Sequence, residues 1–399
     1  MSVRRAVGVY NRVYEDGEAS RNAPLTSRVA FKTASQLKFP ADRILLIATR
    51  QIGDVLLCTP LLRSIRAGYP NARIDVLAYS NKGGMLQGNP DFNELIEVDE
   101  HPPVRAYVAF VRRIFRRYDL VVSTQGGDRP CIYAWLSAPE RVCIIPALRW
   151  QEAWKRHVAQ AWCLLDNDNT HTVLQNLQLA DALGIPRRYE VMPPLCADAD
   201  GQLDAQLPFS WQQSPYVVLH PMPMWPYKRW TQEGWLQLAN DILRRGYRVV
   251  LTGGPAQGER AAIAAITRCA NSADITDVSG MLTFGQLSRL LRGCRCYVGP
   301  DTAVTHLAAA CGSPTVALFG PTNPVKWGPW PYDYAADKNP FVRSKPLQRQ
   351  GNVSLIQGLG ACVPCHSEGC EQHKQSYSRC LNRLPSETVV AEVAAILDR

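Results

Sequence analysis

Three short segments carry residue types that do chemistry, and each follows an aliphatic run and precedes a helical pattern. The first is Thr49-Arg50-Gln51-Ile52-Gly53-Asp54, after the run Ile44–Ala48. A carboxylate held there could take a proton from a hydroxyl group. Asp is also a favoured helix N-cap, and by spacing alone Asp54 reads first as a capping residue. The second, His220-Pro221-Met222-Pro223-Met224-Trp225-Pro226-Tyr227-Lys228-Arg229-Trp230, sets two cations among aromatics. They could neutralise a phosphate or stand solvated on an anchored loop. The third, Val298-Gly299-Pro300-Asp301-Thr302 followed by Ala303–Ala310, ends a strand and opens a helix. Its first amides and the positive end of its dipole predict an anion site, to which Thr302 adds a hydroxyl. His306 lies one turn into that helix and reads as a capping or core histidine. No G-x-G-x-x-G follows the first strand, which disfavours an NAD-type dehydrogenase.

A fourth group is the cysteines. Nine of the thirteen are scattered through apolar contexts and read as small buried hydrophobes. The other four, Cys362, Cys365, Cys370 and Cys380, fall close together with Gly360 and Gly369 beside them. A C-x2-C knuckle plus two further thiolates closes a tetrahedral S4 shell suited to structural zinc or iron. The surrounding segment has few apolar residues with which to hold itself by burial. Disulfides are the competing reading, weakened by the odd total and by the reducing compartment expected below. His366 and His373 could each replace a thiolate.

The elements that must position these groups alternate between strand and helix. Ile44–Ala48, Arg73–Ala78, Leu95–Val98, Leu120–Ser123 and Val142–Ile145 read as strands. Val55–Gly68, Val104–Arg117 and Thr172–Gly184 read as helices. Pro186–Trp211 loses the period and reads as a linker. A second series follows, with strands at Tyr216–His220, Arg248–Thr252, Ile275–Val278, Cys296–Val298 and Thr315–Phe319, and helices at Gly234–Arg245, Gln257–Cys269, Phe284–Leu291 and Ala303–Cys311. Gly320–Gly360 reads as a long connection and Ser386–Leu397 as a closing helix. The expected division is an extension over 1–42 with a short helix near Ser27–Leu37, Rossmann-like domains over 43–190 and 213–345 joined by a linker at 191–212, and a cysteine-rich finger with the closing helix over 346–399.

Of 399 residues 46% are hydrophobic and 20% charged, which fits a folded protein and excludes long disorder. No apolar run approaches the ~20 residues of a membrane span, and Met1–Ser20 shows no secretory pattern, so a cytoplasmic protein is expected. The net charge of +9 is spread over both halves, arguing against a nucleic-acid arm and permitting anionic ligands. Within Val104–Arg117 five arginines alternate with apolar residues at helical spacing. That is either a packed helix with a solvated face or a peripheral contact with an anionic inner-membrane surface.

Taken in order, the motifs resemble glycosyltransferase family 9, best known for the ADP-heptose:lipopolysaccharide heptosyltransferases. The resemblance spans about Arg43 to Leu397 and rests on Arg50–Asp54, Lys228-Arg229-Trp230, Gly253-Gly254 with Glu259, Asp301–Ala310, and Phe319-Gly320-Pro321-Thr322. The family usually has Gly where this chain has Ala303. The resemblance implies a GT-B fold, with two Rossmann-like domains facing a central cleft and a last helix crossing back to the first domain. It implies ADP-heptose as substrate and an inverting displacement without a catalytic metal. Asp54 would be the base, Lys228 the diphosphate lysine, Thr302 and Ala303 part of the diphosphate cradle, Glu259 the ribose ligand, Asp301 part of the heptose site and Met281 a neighbour of adenine; His306, within the same motif, would be a further residue of the nucleotide-sugar site. The acceptor implied is an anionic lipopolysaccharide core oligosaccharide. The alternative is a protein such as an autotransporter adhesin, because some family members of that type carry an iron-binding cysteine finger.

Overall fold

A computed structural model describes residues 40–146 and 150–399. The helix expected near Ser27–Leu37 lies outside the described residues. The first sheet contains β1 (Arg43–Ile47), β2 (Arg73–Tyr79), β3 (Glu94–Val98), β4 (Leu120–Ser123), β5 (Glu140–Ile145) and β6 (Ala161–Leu164). Their order is β3-β2-β1-β4-β5-β6, and every pairing is parallel. Ile44–Ile47 and Leu120–Ser123 are buried along their whole length, as strands covered by helices on both faces must be.

The second sheet contains β7 (Tyr216–Leu219), β8 (Arg248–Leu251), β9 (Ile275–Asp277), β10 (Cys296–Pro300), β11 (Thr315–Phe319), β12 (Leu347–Gln350) and β13 (Val353–Gln357). The order is β12-β13-β11-β10-β7-β8-β9. Only β12 runs antiparallel, at the edge. The GT-B arrangement expected from the sequence is present, and the carboxyl ends of β1, β7 and β10 all open toward one cleft.

Several details depart from the sequence reading. The helix expected over Val55–Gly68 is two, Ile52–Leu57 and Thr59–Gly68, hinged at Cys58. Pro60 has no N–H to give Leu56, and the Thr59 hydroxyl satisfies that carbonyl instead at 2.8 Å. The linker contains a helix, Ala199–Gln206, that packs on Phe284–Gly293. The connection Gly320–Gly360 supplies β12 and β13 and the short helix Pro324–Trp327.

The closing helix Ser386–Leu397 does not cross back to the first domain. Its buried Val389 and Val393 join the core of the second, against Gln232–Arg244 and β10–β11. Arg349 pairs with Glu392, and the Tyr247 hydroxyl donates to the Leu397 carbonyl at 3.1 Å. Apolar surface on the second sheet's own helical layer captures the helix, so none of its apolar face is left to span the domains.

Candidate active site

The two domains enclose a cleft of about 900 Å³ lined from both sides, within the range of ordinary substrate pockets. The first domain contributes the loop after β1. Gln51 caps the helix Ile52–Leu57, and Asp54 Oδ2 accepts a hydrogen bond from the Gln51 amide at 3.3 Å. Gly53 is one of the points where the domains touch: a Cβ there would stand 3.5 Å from Ala303 Cα and 3.7 Å from His306 Cδ2. Asp54 thus faces the helix Ala303–Ala310 of the other domain. Burial raises its carboxyl above the ordinary carboxylate value, opposed by Arg50, the Gln51 amide, Lys326 and Lys228. A raised carboxylate is a stronger base than a solvated one.

The second domain contributes three loops. Lys228 Nζ donates to Asp301 Oδ2 at 2.5 Å. Burial pushes the Asp301 carboxyl up, but Lys228, His306 and a Thr322 hydrogen bond outweigh it and hold the group below its usual value. The lysine and aspartate that the sequence assigned to diphosphate and sugar are therefore one ion pair. Thr302 caps Ala303–Ala310, its hydroxyl accepting from the Thr305 amide at 3.4 Å. Ala303 follows in the cleft wall. His306 is buried and pushed down to about 4 by desolvation, so it is neutral at physiological pH; its Nδ1 has no hydrogen-bond partner. Glu259 Oε2 accepts from the Gly254 amide at 2.8 Å, fixing the Gly253-Gly254 turn, and Glu259 lines the cleft.

Met281 is half-exposed and not among the lining residues. Val278, Leu282, Phe284 and Leu287 form the apolar wall in that region. The thirteen cysteines are all free. Cys362, Cys365 and Cys370 are exposed and Cys380 is buried, and no cluster of metal-ligating side chains occurs among the described residues. Burial pushes the Cys380 thiol up to about 11, and the charges of Cys365, Cys370 and Cys362 add to the shift. The four thiols are not gathered into one shell; Cys370 Sγ instead accepts from the Arg379 amide at 3.4 Å.

Some residues of the site were not singled out from sequence. Lys326 is buried, its Nζ donating to the Asp166 carbonyl in the first domain at 2.7 Å. Desolvation lowers it to about 8. Asn323 Nδ2 donates to the Asp168 carbonyl at 2.8 Å, Thr172 Oγ1 to the Lys326 carbonyl at 3.0 Å, and the Arg50 guanidinium lies 5.1 Å from the Trp327 ring. Together they clamp Asn323–Gly328 onto residues 166–172. The available signal was a lysine between Val325 and Trp327 in an apolar turn. His366, Ser367 and Glu368 also line the cleft.

Two facing Rossmann-like domains, with a carboxylate on one wall and a lysine–aspartate pair beside a helix N-terminus on the other, define an enzyme of the GT-B glycosyltransferase class. The profile of glycosyltransferase family 9 (heptosyltransferase) matches residues 108–352, and the chain belongs to that family. It is 28% identical over 289 residues to lipopolysaccharide heptosyltransferase 3 of Escherichia coli K12, a match covering 70% of this chain and 83% of that protein. Among solved structures, a family 9 glycosyltransferase from Veillonella parvula superimposes with a TM-score of 0.70 at 19% identity, covering 90% of this chain and 98% of the other. E. coli ADP-heptose lps heptosyltransferase II gives 0.66 at 22% identity, covering 89% and 98%. At these identities the structural matches speak for the fold.

Proposed function

We propose that this enzyme transfers a heptose from ADP-heptose to the core oligosaccharide of lipopolysaccharide. The observation that carries the reading is the opposition of Asp54 to the Lys228–Asp301–Thr302 group across one cleft. The Asp54 carboxylate takes the proton of the acceptor hydroxyl. The oxygen attacks the anomeric carbon opposite the diphosphate, inverting its configuration, and the bond to the diphosphate oxygen breaks with its electron pair. The charge arriving on ADP is met by Lys228, the Thr302 hydroxyl and the first amides of Ala303–Ala310. Asp301 keeps Lys228 aimed until the diphosphate shares it. Glu259, already oriented by the Gly254 amide, has a second oxygen for the ribose hydroxyls. His306 is neutral and stands beside Asp301 in the cleft wall, 3.9 Å away, without taking the proton.

Incubation of the pure protein with ADP-heptose and either truncated core lipopolysaccharide or an adhesin polypeptide tests the reading. Transfer to the oligosaccharide is expected. Transfer to the polypeptide alone would replace the acceptor while leaving the donor chemistry intact.

The four thiols suit a soft metal ion by their chemistry, and the segment that carries them has only Val363, Cys380 and Leu381 as a buried cluster. Cys362, Cys365, Cys370 and Cys380 would hold one structural zinc or iron, which would close the segment without entering the reaction. About one equivalent of metal per chain, lost in Cys362→Ser/Cys365→Ser, is expected. Four freely titratable thiols in metal-free native protein would refute it. The outer face of the first domain is the proposed contact with an anionic inner-membrane surface, where a lipid-linked acceptor resides.

A further inference from the structure

The cysteine-bearing segment 360–380 reaches the cleft wall and grips two loops that line it. The His366 amide donates to the Pro321 carbonyl at 2.8 Å, in the loop after β11. Ser378 Oγ donates to the Tyr227 carbonyl at 2.5 Å, and the Lys374 ammonium stands 4.9 Å over the Trp225 ring, in the loop that carries Lys228. At the first of these anchors His366 adopts a left-handed backbone at φ 61°, and residues 366–368 line the cleft.

Two side chains there are equipped for hydroxyl groups. Arg343 Nη2 donates to His366 Nε2 at 3.1 Å, and a guanidinium can only donate. The ring proton is therefore on Nδ1, which points across the cleft at Asp168 Oδ1 of the first domain, 3.6 Å away. That separation is beyond a good hydrogen bond. Two residues on, the exposed Glu368 carboxylate makes no ion pair among the described residues. Glu368 lines the same cleft as Tyr227 and Lys228. The residues that carry this ring N–H and this unpaired carboxylate both line the one cleft. The carboxylate would repel a diphosphate, but it accepts well from neutral vicinal hydroxyls.

We propose that His366 and Glu368 bind hydroxyls of a sugar ring in the cleft, making the cysteine segment a specificity element of the active site. This rests on the glycosyl-transfer reading above. The ring belongs to the donor's transferred sugar or to the acceptor, and the measurements separate the two. In the full-length protein, Glu368→Ala and His366→Ala should raise KM for one sugar substrate by about 10-fold or more, as loss of a charge-assisted hydrogen bond does. Glu368→Gln, which keeps an accepting oxygen, should recover part of the loss. ADP affinity by calorimetry and the melting temperature should stay near wild type. A rise in KM for ADP-heptose assigns the donor sugar; a rise for the oligosaccharide assigns the acceptor. Unchanged KM values for both substrates would overturn the proposal. So would an equal fall in ADP affinity, because the segment would then act only by propping the phosphate loops. If wild-type protein transfers no heptose, the functional reading fails by itself, and calorimetry with ADP-sugar and with oligosaccharide still compares the variants. Absence of any sugar-dependent affinity in wild type would overturn both.

Discussion

Asp54 shows most directly how function opposes stability in this molecule. Its folded-state pKa lies above its unfolded one, chiefly through burial. Below the unfolded value both states are protonated and nothing is lost. As pH rises through the two values the unfolded chain ionises first, so folding stability falls and stays lower at neutral pH. Asp54→Asn removes the charge and retains an oxygen for the Gln51 amide. Transfer should therefore drop by ~10²–10⁴-fold while the melting temperature at pH 7 holds or rises. A variant that melts earlier and transfers at near wild-type rate would contradict both halves of the argument. Lys326 acts on the same group from the other domain, its charge being one of those that oppose the rise. Lys326→Gln should preserve a donor to the Asp166 carbonyl and delete the charge. The acid limb of the pH–rate profile is then expected to move to higher pH; an unmoved limb would show that Lys326 serves only as a clamp.

At the level of elements, the site legible in the sequence is the part built from contiguous strand-end loops. Asp54, Lys228, Asp301 and Thr302 each follow an aliphatic strand, and that local grammar needs no tertiary information. The same grammar supports a test on Thr302, which both caps its helix and offers a hydroxyl to the cleft. Thr302→Ala should cost about 1 kcal/mol in chemical denaturation and weaken ADP binding, with Thr302→Ser restoring both. If stability falls while ADP affinity does not, the hydroxyl is a cap and nothing more. The elements that escaped notice depend on distant partners. The helix Asp128–Ser137 carries Pro130 and an exposed Trp135, which blur its apolar period. The edge strand β12 is short, polar and held by its neighbour β13. The contact of Lys326 with Asp166 joins residues far apart in sequence, and no local pattern announces it. The closing helix is amphipathic wherever it docks, so its sequence does not choose between two domains that both present helical layers.

Across the whole molecule, one outer face stands apart from the rest of the surface. The helices Val104–Ile114, Asp128–Ser137 and Ala153–Val158 lie side by side on the first sheet, joined by packing such as Phe110 against Tyr133 at 5.1 Å. Val104, 80% exposed, Val108 and Phe115 project from the first of them, Ile132 and Trp135, 60% exposed, from the second, and Trp154 from the third. Arg105, Arg112 and Arg117 make no ion pair among the described residues, whereas Arg113 on the far flank is engaged by Glu94. No described helix is long and apolar enough to cross a membrane. Apolar side chains interleaved with uncompensated arginines match the interface of an anionic bilayer, where each cation near the surface contributes about 1 kcal/mol. Val104 follows β3 and Asp54 follows β1 at the carboxyl end of the same parallel sheet, so docking there would bring a lipid-linked acceptor toward the cleft mouth. Wild-type protein should co-sediment with vesicles containing phosphatidylglycerol and be released as salt shortens the screening length from about 10 Å at 0.1 M to about 3 Å at 1 M. Ile132→Ser/Trp135→Ser and Arg112→Glu/Arg117→Glu should each weaken sedimentation without changing ADP affinity. Binding that ignores lipid charge and salt, or variants that sediment as wild type does, would leave this face as an ordinary solvated layer and require another route for the acceptor.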